Sequence, residues 1–327
     1  MRLKKWLRPA LRVRTSQQQQ KDRRVILLTV LLAGTLMVAI ALFAFTSGNA
    51  GHELATLATA DVASEGEEAN TTARADEQGA AANIQIADQQ ALKRYSLFYF
   101  YEDARSTRYL DYQAAHPELS AEQVVIRVNV DLDTVDYEVV SPASDVSVIN
   151  TLVSKHYSLP YDYEPADLAY YGELLIKSEA IGPLDQLIAD ASADGVPLSP
   201  TSGYRSAATQ ETLYNGYVAS FGYEAAEVQS AHPGFSEHQT GWAIDFSPTN
   251  YLFYDTPQAY WLAENAYKYG FIVRYTEENT DMTLYIHEPW HIRYVGSQVS
   301  NYMHDNNIAS FEEYWVKYVQ HTPPPLG

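Results

Sequence analysis

The chain has 327 residues, of which 46% are hydrophobic, and this composition excludes disorder throughout and allows a folded core. Its net charge of -19 argues against nucleic acid as a partner, because most of the surface would repel phosphates. The sequence has no cysteine, which excludes disulfides, thiol nucleophiles and cysteine-bound metals, so any metal must be held by His, Asp and Glu.

The N-terminal part has the charge pattern of a membrane anchor. Residues 1–24 contain nine Lys and Arg but one Asp, and the next 21 residues, 25–45, contain no charge. A helix of that length spans about 30 Å of hydrocarbon. Because positive flanks stay in the cytoplasm, the pattern predicts a single-pass protein of the cell membrane, with 1–24 inside the cell and the rest extracytoplasmic. A cleaved signal peptide is the alternative, although its apolar region is normally shorter.

Residues 46–93 are rich in Ala, Asp, Glu and Gln and contain no aromatic residue. Such a segment cannot bury enough apolar surface to offset the entropy of ordering, so we expect a disordered tether. Aromatic residues return directly afterwards, which predicts a folded domain over 94–320, followed by a flexible tail at 321–327.

The folded part mixes predicted helices and strands without a regular alternation. In 120–140, Val and Ile alternate with polar residues, which favours a strand or a short helix passing into a strand. Helices are predicted at 170–194, with a break at Gly182-Pro183, at 208–221 and at 257–269, and strands at 241–246, 271–275, 283–286 and 290–295. The pattern predicts an α+β fold in which helices flank a small antiparallel sheet.

The segment 236–246 predicts one half of a metal site. In a strand beginning at Gly241, small side chains and then Asp245 share one face, while the bulky apolar side chains take the other. Gly241 lets the backbone turn, so that His238 folds back over Asp245. Both residue types bind zinc. A His and an Asp seven residues apart are common, however, and an ordinary loop histidine is the alternative.

The residues 287–291 contain the H-E-x-x-H pattern of helical zinc proteases, in which two His one turn apart bind the metal. Pro289 argues against a helix here, because a proline pushes the preceding residue out of the helical region. In an extended segment, Glu288 and His291 meet at one ion instead, His291 as a ligand and Glu288 as a base. His287 falls on the opposite side and is the rival ligand.

A third segment, 201–206, is a turn that opens a helix. It carries Arg205, and Gln210 follows five residues later. An Arg fixed near a metal can stabilise the oxyanion of an attacked carbonyl, whereas a surface salt bridge is the alternative role.

Together, the three segments resemble the VanY-type D-alanyl-D-alanine carboxypeptidases, zinc peptidases of the LAS group in peptidase family M15. The family pattern S-G-Y-R-S, then S-x-H-x-x-G-x-A-x-D, then E-P-W-H occurs in order and without a mismatch within about 95–315. The resemblance implies the zinc ligands His238, Asp245 and His291, the catalytic base Glu288, the carbonyl-polarising Arg205, and the substrate-binding residues Ser236, Gln210 and Trp290.

The resemblance also implies a function. We expect a membrane-anchored, extracytoplasmic carboxypeptidase that uses Zn²⁺ in a surface groove to remove the C-terminal D-Ala from peptidoglycan stem peptides. Three protein ligands would leave a fourth zinc position open for water. An L,D-carboxypeptidase that acts on tetrapeptide stems would use the same zinc centre and is the main alternative. A wall-binding module without catalysis is a further one, disfavoured because the zinc ligands and the base are all present.

Overall fold

The structure, a computed structural model, describes residues 89–138, 140–143, 145–321 and 323. Residues 89–95 are helical. The α-helices that follow are α1 (Ser106–Ala115), α2 (Ala121–Asn129), α3 (Ser178–Ala193), α4 (Ala207–Phe221), α5 (Tyr223–Glu227), α6 (Pro257–Asn265), α7 (Thr280–Thr283), α8 (Ser297–Asp305) and α9 (Phe311–Tyr314). The strands are β1 (Ser141–Pro142), β2 (Tyr157–Ser158), β3 (Leu168–Tyr171), β4 (Leu174–Lys177), β5 (Pro200–Ser202), β6 (Ala243–Phe246), β7 (Phe271–Tyr275) and β8 (Glu288–Tyr294). Single turns of 3-10 helix lie at Asp103–Arg105, Glu237–Thr240, Tyr251–Phe253, Ala266–Tyr269 and Glu277–Asn279, and a π-helical turn at Trp315–Gln320.

A four-stranded antiparallel sheet, in the order β5-β6-β8-β7, positions the site. Strands β6 and β8 lie in its interior, and their register places Asp245 directly opposite His291. Every residue of β6 is buried. Because both neighbours of β6 and β8 are themselves strands, backbone hydrogen bonds hold these two strands from either side.

One face of the sheet supplies the larger apolar core. The bulky side chains of β6 and β8 alternate toward that face, where they pack against α3 and α6. Burial of each large apolar side chain contributes on the order of 2 kcal/mol. The buried residues in this core include Leu184, Leu187, Trp242, Ile244, Phe246, Leu262, Trp290, Ile292 and Tyr294. The polar residues of the same strands are thereby directed to the opposite face.

A second core joins the first helices to the end of the chain. It unites side chains of α1 and α2 with those of α8, α9 and the π-helical turn, among them Tyr109, Val124, Val128, Met303, Phe311 and Trp315. Polar contacts reinforce it, since Tyr109 donates a hydrogen bond to Asn129 Oδ1 at 2.6 Å and Asn129 donates one to the carbonyl of Phe100 at 2.7 Å. We refer to this assembly as the helical layer.

Mixed helix and sheet confirm the predicted α+β class in outline, and several predicted elements are confirmed closely. Strand β7 has the predicted bounds, and α4 begins one residue earlier than predicted, capped by Ser206. The predicted helix 257–269 is α6 followed by a 3-10 turn, and it ends at Gly270 in the left-handed conformation, with φ 87°.

Two predicted elements are wrong, and a third is right only in its first part. The segment 120–140 begins as helix α2, as the second alternative predicts, because Ser120 and Gln123 form a capping box and Val124, Val125 and Val128 bury one helical face. Turns and no strand follow it over 130–138. The predicted start of a helix at 170 is the hairpin β3–β4, which turns at Gly172 with φ 60°. The predicted strand 283–286 is absent. Thr283 is the last residue of α7, Leu284 ends that helix in the left-handed conformation, and residues 284–286 form no strand.

The predicted break at Gly182-Pro183 is absent, and helix α3 continues through Pro183. Its missing N–H would have bonded the carbonyl of Glu179 in the first turn. The helix continues because its apolar stripe, which includes Leu184 and Leu187, is fully buried against the sheet.

The predicted localisation is contradicted. Within the part of the chain that the structure describes, no helix is both long and apolar enough to cross a membrane. The single-pass membrane localisation, with the membrane as a partner, is therefore not retained. The predicted transmembrane helix 25–45, its basic flank 1–24 and most of the predicted tether lie outside the described residues, and residues 89–93 at the tether's predicted end are helical.

Candidate metal centre

The three predicted ligands converge at one point above the inner strands. His238 comes from the 3-10 turn Glu237–Thr240, Asp245 from β6 and His291 from β8. All three are buried, and one ligand atom from each lies within 4.8 Å of the others. Among the described residues, this is the group of His, Asp and Glu side chains that could hold a metal ion.

Asp245 contacts both histidines, each through a different carboxylate oxygen. Asp245 Oδ2 lies 3.1 Å from His238 Nε2, and Asp245 Oδ1 lies 3.0 Å from His291 Nδ1. Four ligands at about 2.0–2.1 Å from a tetrahedral ion are about 3.4 Å apart. Two imidazole nitrogens and a carboxylate oxygen also form a donor set suited to catalytic zinc, so the residues present fit this metal.

Gly241 explains how His238 returns over β6, as the sequence predicts. It ends the 3-10 turn in the left-handed conformation, with φ 74°. The positive φ favours glycine here, whereas the atom that an added Cβ would meet, 2.7 Å away, is the movable end of the Leu168 side chain. The turn is further held by Ser236 Oγ, which accepts a hydrogen bond from the His238 N–H at 3.3 Å.

A backbone carbonyl selects the ligating nitrogen of His238. Its Nδ1 lies 2.8 Å from the oxygen of Gly203. Because a carbonyl can only accept, Nδ1 carries the proton, which leaves Nε2 free for a metal. A Cβ atom on Gly203 would lie 2.4 Å from the carbonyl oxygen of Leu175, so only glycine can bring this carbonyl to His238.

Glu288 lies at the entrance of the site, at the first position of β8. Its Oε2 is 3.9 Å from His291 Nδ1, and its side chain is 13% exposed. Burial and the nearby Asp245 carboxylate raise the pKa of Glu288 to about 8. A carboxyl group that titrates near neutrality is suited to accept a proton and to return it.

Arg205 and Gln210 form a hydrogen-bonded unit beside the ligands. The Arg205 guanidinium donates to Gln210 Oε1 at 2.7 Å and to Ser202 Oγ at 3.2 Å, and its Nη2 is 3.8 Å from Asp245 Oδ2. Gln210 Nε2 donates to the carbonyl of Ala231 at 2.7 Å and to Ser230 Oγ at 3.1 Å. The amide of Gln210 is thus engaged on both sides, and it orients Arg205.

His287 lies apart from the three ligands. Its ring stacks on Tyr254 with a centroid distance of 5.4 Å, and its Nδ1 is 3.8 Å from Glu277 Oε1. The H-E-x-x-H pattern runs into strand β8 and not along a helix. The structure therefore excludes the helical zinc-protease arrangement, as Pro289 predicts.

The ligands open into a cavity of about 710 Å³. Ser236, Gln210 and Trp290 all line it together with Arg205 and Glu288. Aromatic and apolar side chains form its outer walls, with Leu213, Tyr217 and Phe221 on α4 and Tyr251 and Tyr254 on the other side.

Sequence reasoning missed one buried acid, Glu237. It precedes the ligand His238, its side chain is fully buried, and its Oε2 lies 3.5 Å from His291 Nε2. Its position could have identified it. Glu237 lies between Ser236 and His238 in a turn that must fold over the metal site, and an acid buried in such a turn needs a specific partner.

Comparison with known proteins decides the family. The VanY family model, described as D-alanyl-D-alanine carboxypeptidase, matches residues 173–297. The putative carboxypeptidase YodJ of Bacillus subtilis (strain 168) is 39% identical over 185 residues, which are 52% of this chain and 67% of that protein. The chain belongs to the VanY family. It is accordingly a zinc metallopeptidase of the D-alanyl-D-alanine carboxypeptidase type.

Two solved structures resemble this VanY-family chain. The LdcB LD-carboxypeptidase shares 36% sequence identity, covers 54% of this chain and 89% of its own, and gives a TM-score of 0.50. A vancomycin resistance D,D-pentapeptidase VanY in complex with Zn(II) shares 33% identity, covers 52% of this chain and 99% of its own, and gives a TM-score of 0.46.

Proposed function

We propose that this enzyme removes the C-terminal D-Ala from peptidoglycan stem peptides, with zinc held by His238, Asp245 and His291. The observation that carries the proposal is the convergence of these three side chains with Glu288 and Arg205 in one cavity. When bound there, zinc would polarise the scissile carbonyl and lower the pKa of a water to about 7.

Glu288 is the proposed general base. It lines the cavity together with His291, and its pKa is raised to about 8, close to neutrality. In this role its carboxylate accepts the proton of the attacking water and then returns it to the departing amine of D-Ala. No covalent bond to the enzyme is required.

Arg205 is the proposed partner of the substrate carbonyl oxygen. Its guanidinium is held by Ser202 and Gln210, and its Nη2 lies 3.8 Å from Oδ2 of the proposed ligand Asp245. A donor fixed in advance stabilises negative charge that develops on the carbonyl oxygen in the transition state. We assign Gln210 to positioning Arg205, in place of the direct substrate contact that the family resemblance implies.

Ser236 and Trp290 are proposed to contact the substrate. Ser236 lies at the base of the turn that carries His238, where its hydroxyl could bind the terminal carboxylate. Trp290 stacks on Tyr254 with a centroid distance of 5.8 Å and forms an apolar wall suited to the D-Ala methyl group.

One observation favours a second candidate, L,D-carboxypeptidase activity on tetrapeptide stems. The LdcB LD-carboxypeptidase has 36% identity with this chain, and the match covers 89% of its length. The two activities differ in the configuration of the residue before the scissile bond. The same metal centre can catalyse both.

Defined stems distinguish the candidates. Full-length protein is incubated with a pentapeptide that ends in D-Ala-D-Ala and with a tetrapeptide that ends in an L-residue followed by D-Ala, and D-Ala release is measured. Glu288→Gln is the matched control. We expect kcat/KM on the pentapeptide to exceed that on the tetrapeptide at least about tenfold, or ~1.4 kcal/mol of transition-state free energy. The reverse order supports the second candidate, and release from neither stem contradicts both.

A further inference from the structure

Glu237 lies directly behind the proposed ligand His291, on the side away from the metal. Its Oε1 accepts hydrogen bonds from Arg274 Nε at 2.8 Å and from Arg293 Nη1 at 2.9 Å. Its Oε2 is 3.5 Å from His291 Nε2. These two facing atoms are both buried, and neither has a hydrogen-bond partner elsewhere. A small approach of the two side chains would therefore satisfy both atoms at once.

Two arginines hold one oxygen of the Glu237 carboxylate. Because an arginine side chain can only donate, Oε1 accepts hydrogen bonds from both Arg274 and Arg293. Both arginine side chains are almost completely buried. The other oxygen, Oε2, is left to accept a hydrogen bond from His291.

Arg274 continues this chain of contacts to the helical layer. Its Nη2 donates to Glu312 Oε1 at 2.5 Å, and its Nη1 donates to Glu312 Oε2 at 3.1 Å. Glu312 belongs to α9, which lies beyond the residues 173–297 that match the family model. Two acids and two arginines are thus buried together next to the metal centre.

Such a cluster is poorly explained by stability alone. Buried ion pairs can often be replaced by apolar residues of similar volume without loss of stability, because desolvation offsets their attraction. What apolar residues cannot supply is a fixed hydrogen-bond acceptor behind His291. Metal-binding histidines commonly donate their second N–H to such an acceptor, which fixes the tautomer and the orientation of the ring.

We propose that Glu237 is a positioning residue for the zinc ligand His291. It accepts the Nε2–H of His291 and so directs Nδ1 toward the metal, while Arg274 and Glu312 fix Glu237 and connect the metal centre to the helical layer. The inference deepens the proposed function and rests on its ligand assignment.

Glu237→Gln tests the proposal with little change of shape. Because the two arginines donate to Oε1, the amide oxygen takes that position and the amide NH₂ faces His291 Nε2. Two donors then oppose each other, which moves the imidazole proton to Nδ1, the atom required by the metal. We expect zinc affinity to fall about 10- to 100-fold at fixed pH. Glu237→Asp keeps a negative charge near the arginines on a shorter side chain, and we expect an intermediate loss.

The measurements separate positioning from folding. Zinc dissociation constants come from competition with a chelator, and thermal unfolding of the chelator-treated full chain reports on the fold. The visible spectrum of the Co²⁺-substituted protein reports on ligand geometry, which a purely structural role for Glu237 would leave unchanged. We expect Glu312→Gln to weaken zinc binding several-fold. The neighbouring Glu313→Gln, whose partner is the half-buried Lys317 and not Arg274, should bind zinc as the wild type does.

Three outcomes decide the matter. Zinc affinity within twofold of wild type, with an unchanged Co²⁺ spectrum, in Glu237→Gln overturns the proposal. If that variant does not fold, Glu237→Asp decides, and unchanged zinc affinity there overturns it equally. His291→Ala tests the underlying assignment, because a chain that keeps stoichiometric zinc without His291 contradicts the proposed site itself, whatever Glu237 does.

Discussion

Asp245 and His291 face one another across the two inner strands of the sheet, with Oδ1 of the acid 3.0 Å from Nδ1 of the imidazole. Two of the three proposed ligands are therefore placed by a backbone ladder that is hydrogen-bonded on both sides. His238, the third ligand, depends on a turn and on one carbonyl. This difference guides the predictions that follow.

Removal of a ligand should abolish metal binding. We expect His238→Ala, Asp245→Ala and His291→Ala each to lose stoichiometric zinc, because each removes one of three protein donors. Glu288→Gln should keep zinc and lose at least about 10²-fold in kcat, since it cannot take up the proton. Metal analysis and D-Ala release measure both. His287→Ala is the control and should keep zinc. If His287→Ala loses zinc while the three ligand variants keep it, the assignment is refuted.

Arg205→Ala should lower kcat about 10²-fold without loss of zinc, because a fixed donor to the oxyanion is removed. Arg205→Lys should recover only part of this, since an ammonium cannot reproduce the planar fork held by Ser202 and Gln210. Gln210→Ala should lower kcat less than Arg205→Ala does. Steady-state kinetics on the pentapeptide check this. A rise in KM at constant kcat would instead mean that Arg205 binds the ground state and the transition state alike.

Gly203→Ala should weaken both the fold and the metal site. The new methyl group meets the carbonyl of Leu175 at 2.4 Å, so the backbone must move and take with it the carbonyl that orients His238. We expect a lower unfolding temperature and weaker zinc binding. Gly216→Ala, in the middle of α4 with no atom within 4 Å of the new methyl, is the matched control. It should stabilise the protein by about 0.5–1 kcal/mol. Equal effects of the two substitutions would contradict the argument.

Asp131 should make the helical layer sensitive to acid. Its Oδ1 accepts from Arg105 at 2.7 Å and from Arg108 at 2.9 Å, and these bonds overcome burial and lower the pKa of Asp131. Because the folded-state pKa lies below that of the unfolded chain, the stabilisation is present at neutral pH and is lost as pH falls through the acidic range. The free energy of unfolding should therefore decrease as the solution is acidified.

Asp131→Asn isolates this contribution. Asp131 has φ 64°, a conformation that asparagine tolerates, so the change removes charge with little effect on the backbone. We expect a loss of about 2 kcal/mol at pH 7, moderated by the partial exposure of Arg108, and a flatter dependence of stability on pH below about pH 5. Denaturant unfolding at several pH values measures both. Asp111→Asn, exposed on α1, should leave the pH dependence unchanged.

The convergence of the three proposed ligands was predictable from local patterns together with the family resemblance. Alternation along β6 places Asp245 on the polar face, and Pro289 argues against a helix at His287 and His291. The structure brings the three ligands of the resemblance together in one buried group. That each of the three binds zinc remains a prediction, which the alanine variants described above test.

Glu237 was not predictable in the same way, because its partners are distant in sequence. Arg274 and Arg293 follow it by 37 and 56 residues, and only the sheet brings them to one carboxylate. The prediction for 120–140 left a helix and a strand open for another reason. The valines of α2 favour strands by local preference, whereas the capping box of Ser120 and Gln123 favours a helix. Burial of one helical face decides between these two local signals.

The cavity has two structurally separate sides, which matters for how such enzymes change over evolution. Strands and the turn before β6 carry the metal ligands, whereas Leu213, Tyr217 and Phe221, four residues apart on α4, form an outer wall. Substitutions at these three positions can reshape the space for a substrate and leave the ligand geometry intact, while Gln210 on the same helix continues to hold Arg205. A change of preferred peptide at this outer wall therefore requires no rebuilding of the metal site.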